Sequence, residues 1–421
     1  MDATLLTVGD EILIGQVTDT NATFMAATLH EEGYGINEHL SVADTAAGIR
    51  AGLDRALATS DVVLMTGGLG PTKDDITKKV LADYVGTELV FHEETWQRLT
   101  AIYARFGKQT TAQHRVQCDL PASATVLTNE RGTAPGMWLE HRGKIIVSMP
   151  GVPYEMRWLM RHHVVPRLAT ANRDLTRQRS LTILTAGAGE STIAERIVAV
   201  EDSLPDHMGL AYLPNLGTVR LRLTVRGTDE ETMQRELATQ RDRIEAIVGD
   251  LVYGYGTENL GQAVGRRLIA AGRTVVTAES CTGGAVAALL TSNAGSSAYF
   301  LGSVVAYANA LKASQLGVRA ATLAEHGAVS RPTVVEMAEG ARHRLGADYA
   351  IATSGVAGPG GGTPEKPVGT IWIALAGPDG TKARLLSAGK DRRRNVTYTV
   401  HQALDFLRRE LDGISRADNF V

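Results

Sequence analysis

Short apolar runs alternate with amphipathic helical segments in the first and last thirds of this 421-residue chain. The runs at 4–8 and 61–68 are short and rich in β-branched and aliphatic residues, which is typical of strands buried on both faces of a parallel sheet. The segments 20–33 and 45–60 carry apolar residues at helical spacing. This alternation predicts an α/β fold with a doubly wound sheet, in which ligands bind at the carboxyl ends of the strands.

The chain is too long for one ordinary hydrophobic core and predicts about two to four domains. After the first third, a strand, a helix, two paired strands and a strongly polar helix predict a small α+β module with a two- or three-stranded sheet. The glycine-rich segment 254–261 predicts a linker, after which the strand–helix alternation returns. We therefore predict an N-terminal doubly wound domain, a middle α+β module and a C-terminal α/β domain, at 1–170, 171–255 and 256–421.

Charge, cysteine content and hydropathy argue against a nucleic-acid-binding, disulfide-rich or membrane protein. The net charge is −3 and no basic field spans the sequence, so we expect no nucleic-acid partner. The two cysteines, Cys118 and Cys281, do not form a disulfide framework and fit a reducing compartment. No signal peptide is visible, and no stretch approaches the length of a membrane span, so we expect no membrane partner. These features predict a cytoplasmic protein.

Two polar clusters follow strands of the predicted N-terminal domain, and Thr66-Gly67-Gly68 lets the backbone approach a phosphate. Several carboxylates beside such a loop repel one another unless a cation or a positive group lies between them, and hard divalent cations bridge phosphates in this way. Capping of a helix is the alternative role for Asp19, Asp44 and Asp75, and for Asp19 and Asp44 both roles stay open. The candidates are Asp74, Asp75, Asp10 and Glu11 for a divalent cation, and Gly67, Gly68, Gly70 and Asn21 for substrate.

Four motifs of this region, "GDEILIGQVTDTN", "TGGLGPTKDD", "NERGTAPGMW" and "MPGVPYEM", resemble the molybdopterin-binding-like domain of the competence/damage-inducible protein CinA family. The resemblance implies a fold shared with molybdenum cofactor biosynthesis proteins. It also implies a metal-dependent ADP-ribose pyrophosphatase that yields AMP and ribose 5-phosphate, with Mg²⁺ or a similar cation as cofactor. A molybdopterin-binding or adenylylating unit is the alternative.

The segment "TAESCTGG" joins a predicted strand to a predicted helix. Thr282 is the expected N-cap of that helix, which leaves Ser280 without a structural role. A serine nucleophile needs a base, and Tyr307 at a strand end with Lys312 five residues later can supply one. An ammonium beside the phenol would lower the pKa of the Tyr307 hydroxyl, which predicts a Ser–Tyr–Lys relay. Purely structural roles for both residues, and Cys281 as the nucleophile, are the alternatives.

A glycine-rich loop at 353–369 follows another predicted strand. Its glycines free backbone N–H groups to surround a phosphate or a tetrahedral oxyanion, and a disordered hairpin loop is the alternative. The candidates for substrate binding in this half are Thr282, Gly283, Thr353, Ser354, Gly355, Gly358, Gly360, Gly361 and Arg392.

Further motifs, "AESCTGG", "GSVVAYANALK", "HGAVS" and "ATSGVAGPGGGTPEKPVGTIWIAL", are similar to the C-terminal domain of the same family and to nicotinamide mononucleotide (NMN) deamidases. The resemblance implies hydrolysis of NMN to nicotinate mononucleotide and ammonia without a cofactor, with Ser280, Tyr307 and Lys312 as catalytic residues. It also implies a homodimer and a substrate-binding basic residue on the last helix. The segment "GKDRRRNVTYTV" departs from the family spacing, so Arg392, Arg393 and Arg394 all remain candidates. A non-enzymatic, nucleotide-binding regulator linked to competence is the alternative for the whole chain.

Overall fold

The computed structural model describes residues 1–70, 72, 75–171 and 177–414. Backbone contacts divide them into two compact units, the first made of the described residues of 1–179 and 226–233 and the second of the remainder. Within these ranges, no helix combines the length and the hydropathy that crossing a bilayer requires.

The first unit alternates strands and helices along the chain. Its strands are β1 (Asp2–Val8), β2 (Gly35–Val42), β3 (Val62–Thr66), β4 (Leu89–Phe91), β5 (Asp119–Pro121), β6 (Thr125–Leu127), β7 (Gly136–His141) and β8 (Lys144–Met149). Its helices are α1 (Asp10–Leu13), α2 (Thr20–Glu31), α3 (Ala46–Thr59), α4 (Thr77–Val85), α5 (Glu93–Arg105), α6 (Ala112–Val116), α7 (Pro153–Leu159) and α8 (Val165–Ala171), and a π-helical turn at Met160–Val164 joins the last two.

Six strands form the main sheet in the order β2-β1-β3-β8-β7-β6, and the first four are parallel. Successive side chains of a strand point to opposite faces. Leu5 and Leu64 therefore pack with α2 and α7 on one face, whereas Leu6 and Met65 pack with α3 and α4 on the other. The predicted doubly wound α/β fold is confirmed, and the carboxyl ends of β1, β3 and β8 lie side by side at one edge of the sheet.

The middle module contains β9 (Arg177–Ala186), α9 (Glu190–Glu201), β10 (Met208–Asn215), β11 (Thr218–Gly227), α10 (Glu230–Val248) and β12 (Val252–Tyr255). Its sheet has four strands in the order β10-β11-β9-β12, so the expected two or three strands are too few. The additional strand, β12, enters the segment predicted as a linker and pairs antiparallel with β9.

The C-terminal part has a five-stranded sheet in the order β14-β13-β15-β16-β17. They are β13 (Val275–Glu279), β14 (Phe300–Val305), β15 (Tyr349–Gly355), β16 (Thr370–Gly377) and β17 (Gly380–Ser387). The helices are α11 (Leu260–Ala271), α12 (Ala285–Thr291), α13 (Asn309–Leu316), α14 (Ala320–His326), α15 (Arg331–Leu345) and α16 (Arg392–Leu411). The first three strands are parallel, with β13 between β14 and β15. Helices α11, α12 and α16 cover one face, and α13 and α15 cover the other.

A buried ion pair ties α16 to the middle module inside the second unit. Arg408 is fully buried and lies 2.7 Å from the carboxylate of Asp405. The same guanidinium donates to the backbone carbonyls of Asp250, at 3.0 Å, and Val252, at 3.2 Å. A desolvated charge is tolerated only when its donors are satisfied in this way.

Candidate functional site

Ser280 lies on the turn between β13 and α12, at the carboxyl end of the central parallel strand. Its N–H donates to the carbonyl of Thr353 on β15 at 3.0 Å, and its own carbonyl accepts from the N–H of Gly283 at 3.1 Å. Gly283 and Gly284 have φ values of 62° and 98°, in the left-handed region that favours glycine. The glycines therefore allow a tight turn that leaves the Ser280 side chain half-buried.

A buried carboxylate holds this turn. Glu279 is fully buried and accepts hydrogen bonds from the N–H groups of Gly284 (2.9 Å), Val286 (3.1 Å) and Ala287 (2.8 Å). The hydroxyl of Thr282 donates to the same carboxylate at 2.7 Å. The first N–H groups of a helix have no partner within the helix, so a carboxylate placed there satisfies them and favours the positive end of the helix dipole.

The prediction that Thr282 caps this helix is wrong. The helix begins at Ala285, and its N-cap, Gly284, makes no side-chain hydrogen bond. Glu279, which the sequence reasoning missed, performs the capping. The signal was present in the sequence as an acidic residue that ends an apolar strand. The conclusion that Ser280 has no capping role still holds.

Lys312 lies within hydrogen-bond distance of Ser280. It is 1% exposed, and its Nζ lies 3.1 Å from Ser280 Oγ, 2.9 Å from the carbonyl of Ala306 and 3.1 Å from the carbonyl of Tyr307. Burial lowers the pKa of the Lys312 amine because desolvation disfavours the ammonium. A neutral amine has two N–H groups for the two carbonyls and one lone pair for the serine proton, which matches these three neighbours.

The hydrogen bonds of Tyr307 differ from the predicted relay. Lys312 contacts its backbone carbonyl, whereas the Tyr307 hydroxyl accepts a hydrogen bond of 3.0 Å from Arg392. The reason is geometric, since a helical side chain points toward the N-terminus of its helix and Lys312 on α13 therefore reaches back to the carbonyls that precede it. Arg392 also donates to the carbonyl of Gly358 at 3.0 Å, so it joins Tyr307 to the glycine-rich loop.

Cys281 is 5% exposed, and burial raises the pKa of its thiol to about 12. The thiolate is the reactive form of cysteine, so the structure favours Ser280 as the nucleophile.

Three hydroxyls that were predicted to bind substrate are instead buried and hydrogen-bonded within the protein. Thr282 and Thr353 share a hydrogen bond of 2.7 Å, and Ser354 donates to the carbonyl of Ala328 at 2.7 Å. These side chains support the turn and the end of β15. Because their hydroxyls are engaged within the protein, a ligand could be bound here only by the neighbouring backbone groups.

The glycines of the predicted loop differ in their surroundings. Gly358 and Gly361 have φ values of 91° and 84°, and a Cβ on Gly355 would lie 2.6 Å from Ile371. Gly360 is exposed and faces open space. The hydrogen bond from Arg392 to the Gly358 carbonyl places this part of the loop beside the start of α16.

The first unit holds a cavity of about 540 Å³ at the carboxyl ends of its strands. Six predicted residues line it, namely Glu11, Asn21, Gly67, Gly68, Gly70 and Asp75. Asn21 donates to Thr66 Oγ1 at 3.2 Å and to the carbonyl of Gly151 at 2.7 Å. Its Oδ1 is buried and has no hydrogen-bond partner among the described residues, so a ligand donor can bind there.

The predicted metal ligands are spread around this cavity. Asp75 accepts from the N–H and hydroxyl of Thr72 at 2.8 and 2.5 Å, while Asp10 and Asp44 each accept the other's N–H at 3.3 Å. Asp74 lies outside the described residues. Within the described ranges, no three His, Cys, Asp or Glu side chains converge closely enough to hold a metal ion. Any cation would therefore take further oxygen ligands from substrate or water.

The structure also shows which of Asp19 and Asp44 caps a helix. Asp19 caps α2 by accepting from the N–H of Ala22 at 2.8 Å, and it accepts from the Thr7 hydroxyl at 2.6 Å. Asp44 lines the cavity, and the N-cap of α3 is Thr45 rather than Asp44.

Glu155 was missed by sequence reasoning and lines the same cavity. It lies in the first turn of α7, inside the quoted motif "MPGVPYEM" that directly follows β8, and it is 7% exposed. An acidic residue one turn after a parallel strand was the available signal.

Family models match three segments of the chain. Residues 4–170 match the probable molybdopterin binding domain, residues 180–254 the damage-inducible protein CinA KH domain, and residues 257–411 the CinA C-terminal domain. The sequence had predicted the middle module only as a small α+β unit, without the KH likeness.

Relatives match over nearly the whole chain. A CinA-like protein from Flavobacterium psychrophilum is 41% identical over 413 residues, which cover 98% of this chain and 99% of the relative. A putative competence-damage inducible protein from Acetivibrio thermocellus is 39% identical over 97% of this chain and 98% of its own length. A solved structure, the competence/damage inducible protein CihA from Agrobacterium tumefaciens, is 41% identical and covers 37% of this chain and 97% of its own, with a TM-score of 0.35. The family models and the two full-length relatives confirm the resemblance, and the chain belongs to the CinA family of competence/damage-inducible proteins.

Proposed function

We propose that the site around Ser280 hydrolyses NMN to nicotinate mononucleotide and ammonia. The observation that carries this proposal is the 3.1 Å contact between Lys312 Nζ and Ser280 Oγ. A buried amine with a lowered pKa next to a serine hydroxyl is the pair that nucleophilic amide hydrolysis needs.

The residues define a two-step reaction. Lys312 takes the proton of Ser280 as Oγ attacks the amide carbon, and the resulting oxyanion needs N–H donors from the surrounding backbone. Lys312 then gives the proton to the departing ammonia, which leaves an ester on Ser280. Water attacks that ester with Lys312 again as the base, and the acid is released. No step requires a cofactor.

Recognition of the phosphate of NMN is supported by the start of α16. The positive end of a helix attracts anions, and Arg392, Arg393 and Arg394 form its first turn. Arg392 is the strongest of the three candidates because it contacts both Tyr307 and Gly358. The nicotinamide ring of NMN is cationic, and Tyr307, which is 58% exposed, offers an aromatic ring for it.

We propose that the cavity of the first unit hydrolyses ADP-ribose to AMP and ribose 5-phosphate. The buried, unpartnered Oδ1 of Asn21 supports binding of a ligand that carries hydroxyl or amino donors. The turn at Gly67 and Gly68 supports close approach of a phosphate, since both residues have positive φ and no side chain.

A divalent cation fits the donor set of this cavity, which consists of oxygen atoms. Asp75 and Glu11 line the cavity and are candidate ligands, as are the predicted Asp10 and Asp74. Because no three described carboxylates converge, substrate and water would supply the remaining oxygen ligands. When bound, a hard cation neutralises the charge of the diphosphate and takes oxygen ligands from it. The chain's own residues position the substrate between Asn21 and the glycine turn.

One experiment tests both proposals. The purified chain is incubated with NMN or with ADP-ribose, with and without Mg²⁺ or Mn²⁺, and the products are identified. We expect ammonia from NMN in either condition and AMP from ADP-ribose only with the metal. If neither ammonia nor AMP is formed, a nucleotide-binding regulator is favoured. If the chain binds a pterin and releases no AMP, a molybdopterin-binding unit is favoured.

A further inference from the structure

Glu155 stands apart from the other carboxylates that line the cavity of the first unit. It is buried, whereas Asp19, Asp44 and Asp75 are only partly buried and Glu11 is exposed. Asp19 and Asp75 also accept hydrogen bonds from nearby N–H and hydroxyl groups.

The carboxylate of Glu155 is held in one orientation. Asn129 Nδ2 donates to its Oε2 at 2.5 Å, and the same amide nitrogen donates to the carbonyl of Ala134 at 2.8 Å. A Cβ on Gly132 would lie only 2.0 Å from Oε2, so the loop fits against the carboxylate because that residue has no side chain. Glu155 is therefore fixed against the cavity wall.

The groups that face Glu155 leave it without a strong ion pair. Arg98 on α5 is near, but its guanidinium donates to the carbonyls of Asn129, Gly132 and Thr133. Burial raises the pKa of Glu155, and the opposing effects of Asn129, Tyr154 and Arg98 are smaller. A carboxylate with a raised pKa is a better proton acceptor near neutral pH.

We propose that Glu155 accepts a proton from the water molecule that attacks the diphosphate in this cavity. This inference rests on the proposed hydrolysis of ADP-ribose. One O–H bond of water breaks, its proton binds the carboxylate, and the water oxygen forms a bond to phosphorus. The bond from phosphorus to the bridging oxygen breaks, and its electron pair leaves on the departing phosphate. Glu155 then releases the proton to solvent.

The first test is the substitution Glu155→Gln. Glutamine keeps the volume and an oxygen that accepts from Asn129, but it does not take up a proton. We expect kcat for ADP-ribose to fall by about 10²–10⁴-fold with little change in KM, as for loss of a general base. Glu130→Gln is the matched control. Glu130 lies in the loop that contains Asn129 and Gly132, but it is exposed and does not line the cavity.

The pH profile separates proton transfer from support of the loop. In the wild type, kcat should fall at acidic pH as Glu155 becomes protonated, and Glu155→Asp should keep that fall because it keeps a carboxylate. Asn129→Ala should lower stability and leave the acidic fall in place. If kcat decreases at acidic pH in neither the wild type nor Glu155→Asp, the proposal is overturned.

A measurement without metal or substrate checks the titration itself. Folding raises the pKa of Glu155, so the folded state binds this proton more tightly than the unfolded state does. The resulting contribution of Glu155 to the free energy of unfolding is fully present below the unfolded pKa, about 4.3, and is lost as the pH rises through the folded pKa. The wild type should therefore lose stability relative to Glu155→Gln across that window. Parallel curves would overturn the inference.

The two proposals fail in distinguishable ways. A Glu155→Gln variant with wild-type kcat overturns the role of Glu155 and leaves ADP-ribose hydrolysis in place. A wild-type chain that releases no AMP with any divalent cation overturns the proposed activity and this inference with it.

Discussion

The guanidinium of Arg392 donates a hydrogen bond of 3.0 Å to the hydroxyl of Tyr307. This hydroxyl is therefore occupied by a cation from α16, and the amine of Lys312 lies at the backbone carbonyl of the same residue instead. For the proposed deamidation, these contacts favour a binding role for Tyr307 together with Arg392 and a proton-transfer role for Lys312.

Replacing Tyr307 by Phe should mainly weaken binding of NMN. The substitution removes one hydrogen bond to a charged group, and such a bond contributes roughly 1.5–3 kcal/mol. We expect KM to rise about tenfold while kcat changes little, measured as ammonia release under steady-state conditions. A collapse of kcat with unchanged KM would restore the Ser–Tyr–Lys relay.

Removing either member of the Ser280–Lys312 pair should abolish deamidation. Ser280→Ala and Lys312→Met should each lower kcat by several orders of magnitude, on the order of 10³ or more, and the double variant should lose little further because the two act as one unit. Cys281→Ala is the control and should stay active, since its buried thiol packs in the core. A dead Cys281→Ala beside an active Ser280→Ala would identify the thiol as the nucleophile.

The deamidation rate should rise with pH through the titration of Lys312. The ammonium has no lone pair, so the rate falls below the pKa of Lys312, and burial moves that pKa below its ordinary value. The midpoint of the kcat/KM profile should therefore lie below that of an exposed lysine. Lys312→Arg keeps the charge but does not deprotonate, and it should be inactive across the whole range.

Glu279→Gln should destabilise the second unit. The amide would place N–H donors against the N–H groups of α12, so at least one buried hydrogen bond is lost, at a cost of roughly 2–3 kcal/mol. Urea unfolding of the purified variant measures this loss. Glu339→Gln, an exposed carboxylate on α15, should unfold like the wild type. Equal midpoints for both variants would show that Glu279 does not hold the turn.

Asp75→Asn and a chelator should remove AMP release and spare ammonia release. The carboxylate of Asp75 lines the cavity of the first unit, whereas Ser280 lies in the second. Asp83→Asn on α4 is the matched control, because Asp83 is exposed and pairs with Arg50 at 3.4 Å. Loss of both products in a folded Asp75→Asn variant would contradict two separate sites.

The sequence predicted the elements that carry a local signal. The strands β1, β3 and β13 are short, continuously apolar runs, and the helices α2 and α3 carry apolar residues at helix spacing, so their positions could be predicted without the rest of the chain. Strand β12 was missed because its four residues include a glycine and it forms only by pairing with the distant β9.

In the candidate sites too, features with a local sequence signal could be predicted, whereas contacts between distant residues could not. The family motifs implied that Lys312 belongs to the same site as Ser280, acting through the Tyr307 hydroxyl. Its direct contact with Ser280 was not predicted, because the direction of the side chain depends on where α13 begins. The capping by Glu279 and the burial of Glu155 depend on how a turn or loop folds back on a strand end. Spacing along the chain alone does not report such contacts.

The contacts of Arg408 have a consequence for shortening the chain. The middle module supplies two of the acceptors of this buried cation, the carbonyls of Asp250 and Val252. A chain that starts after residue 255 keeps Asp405 but loses both carbonyls, so water has to take their place around the guanidinium.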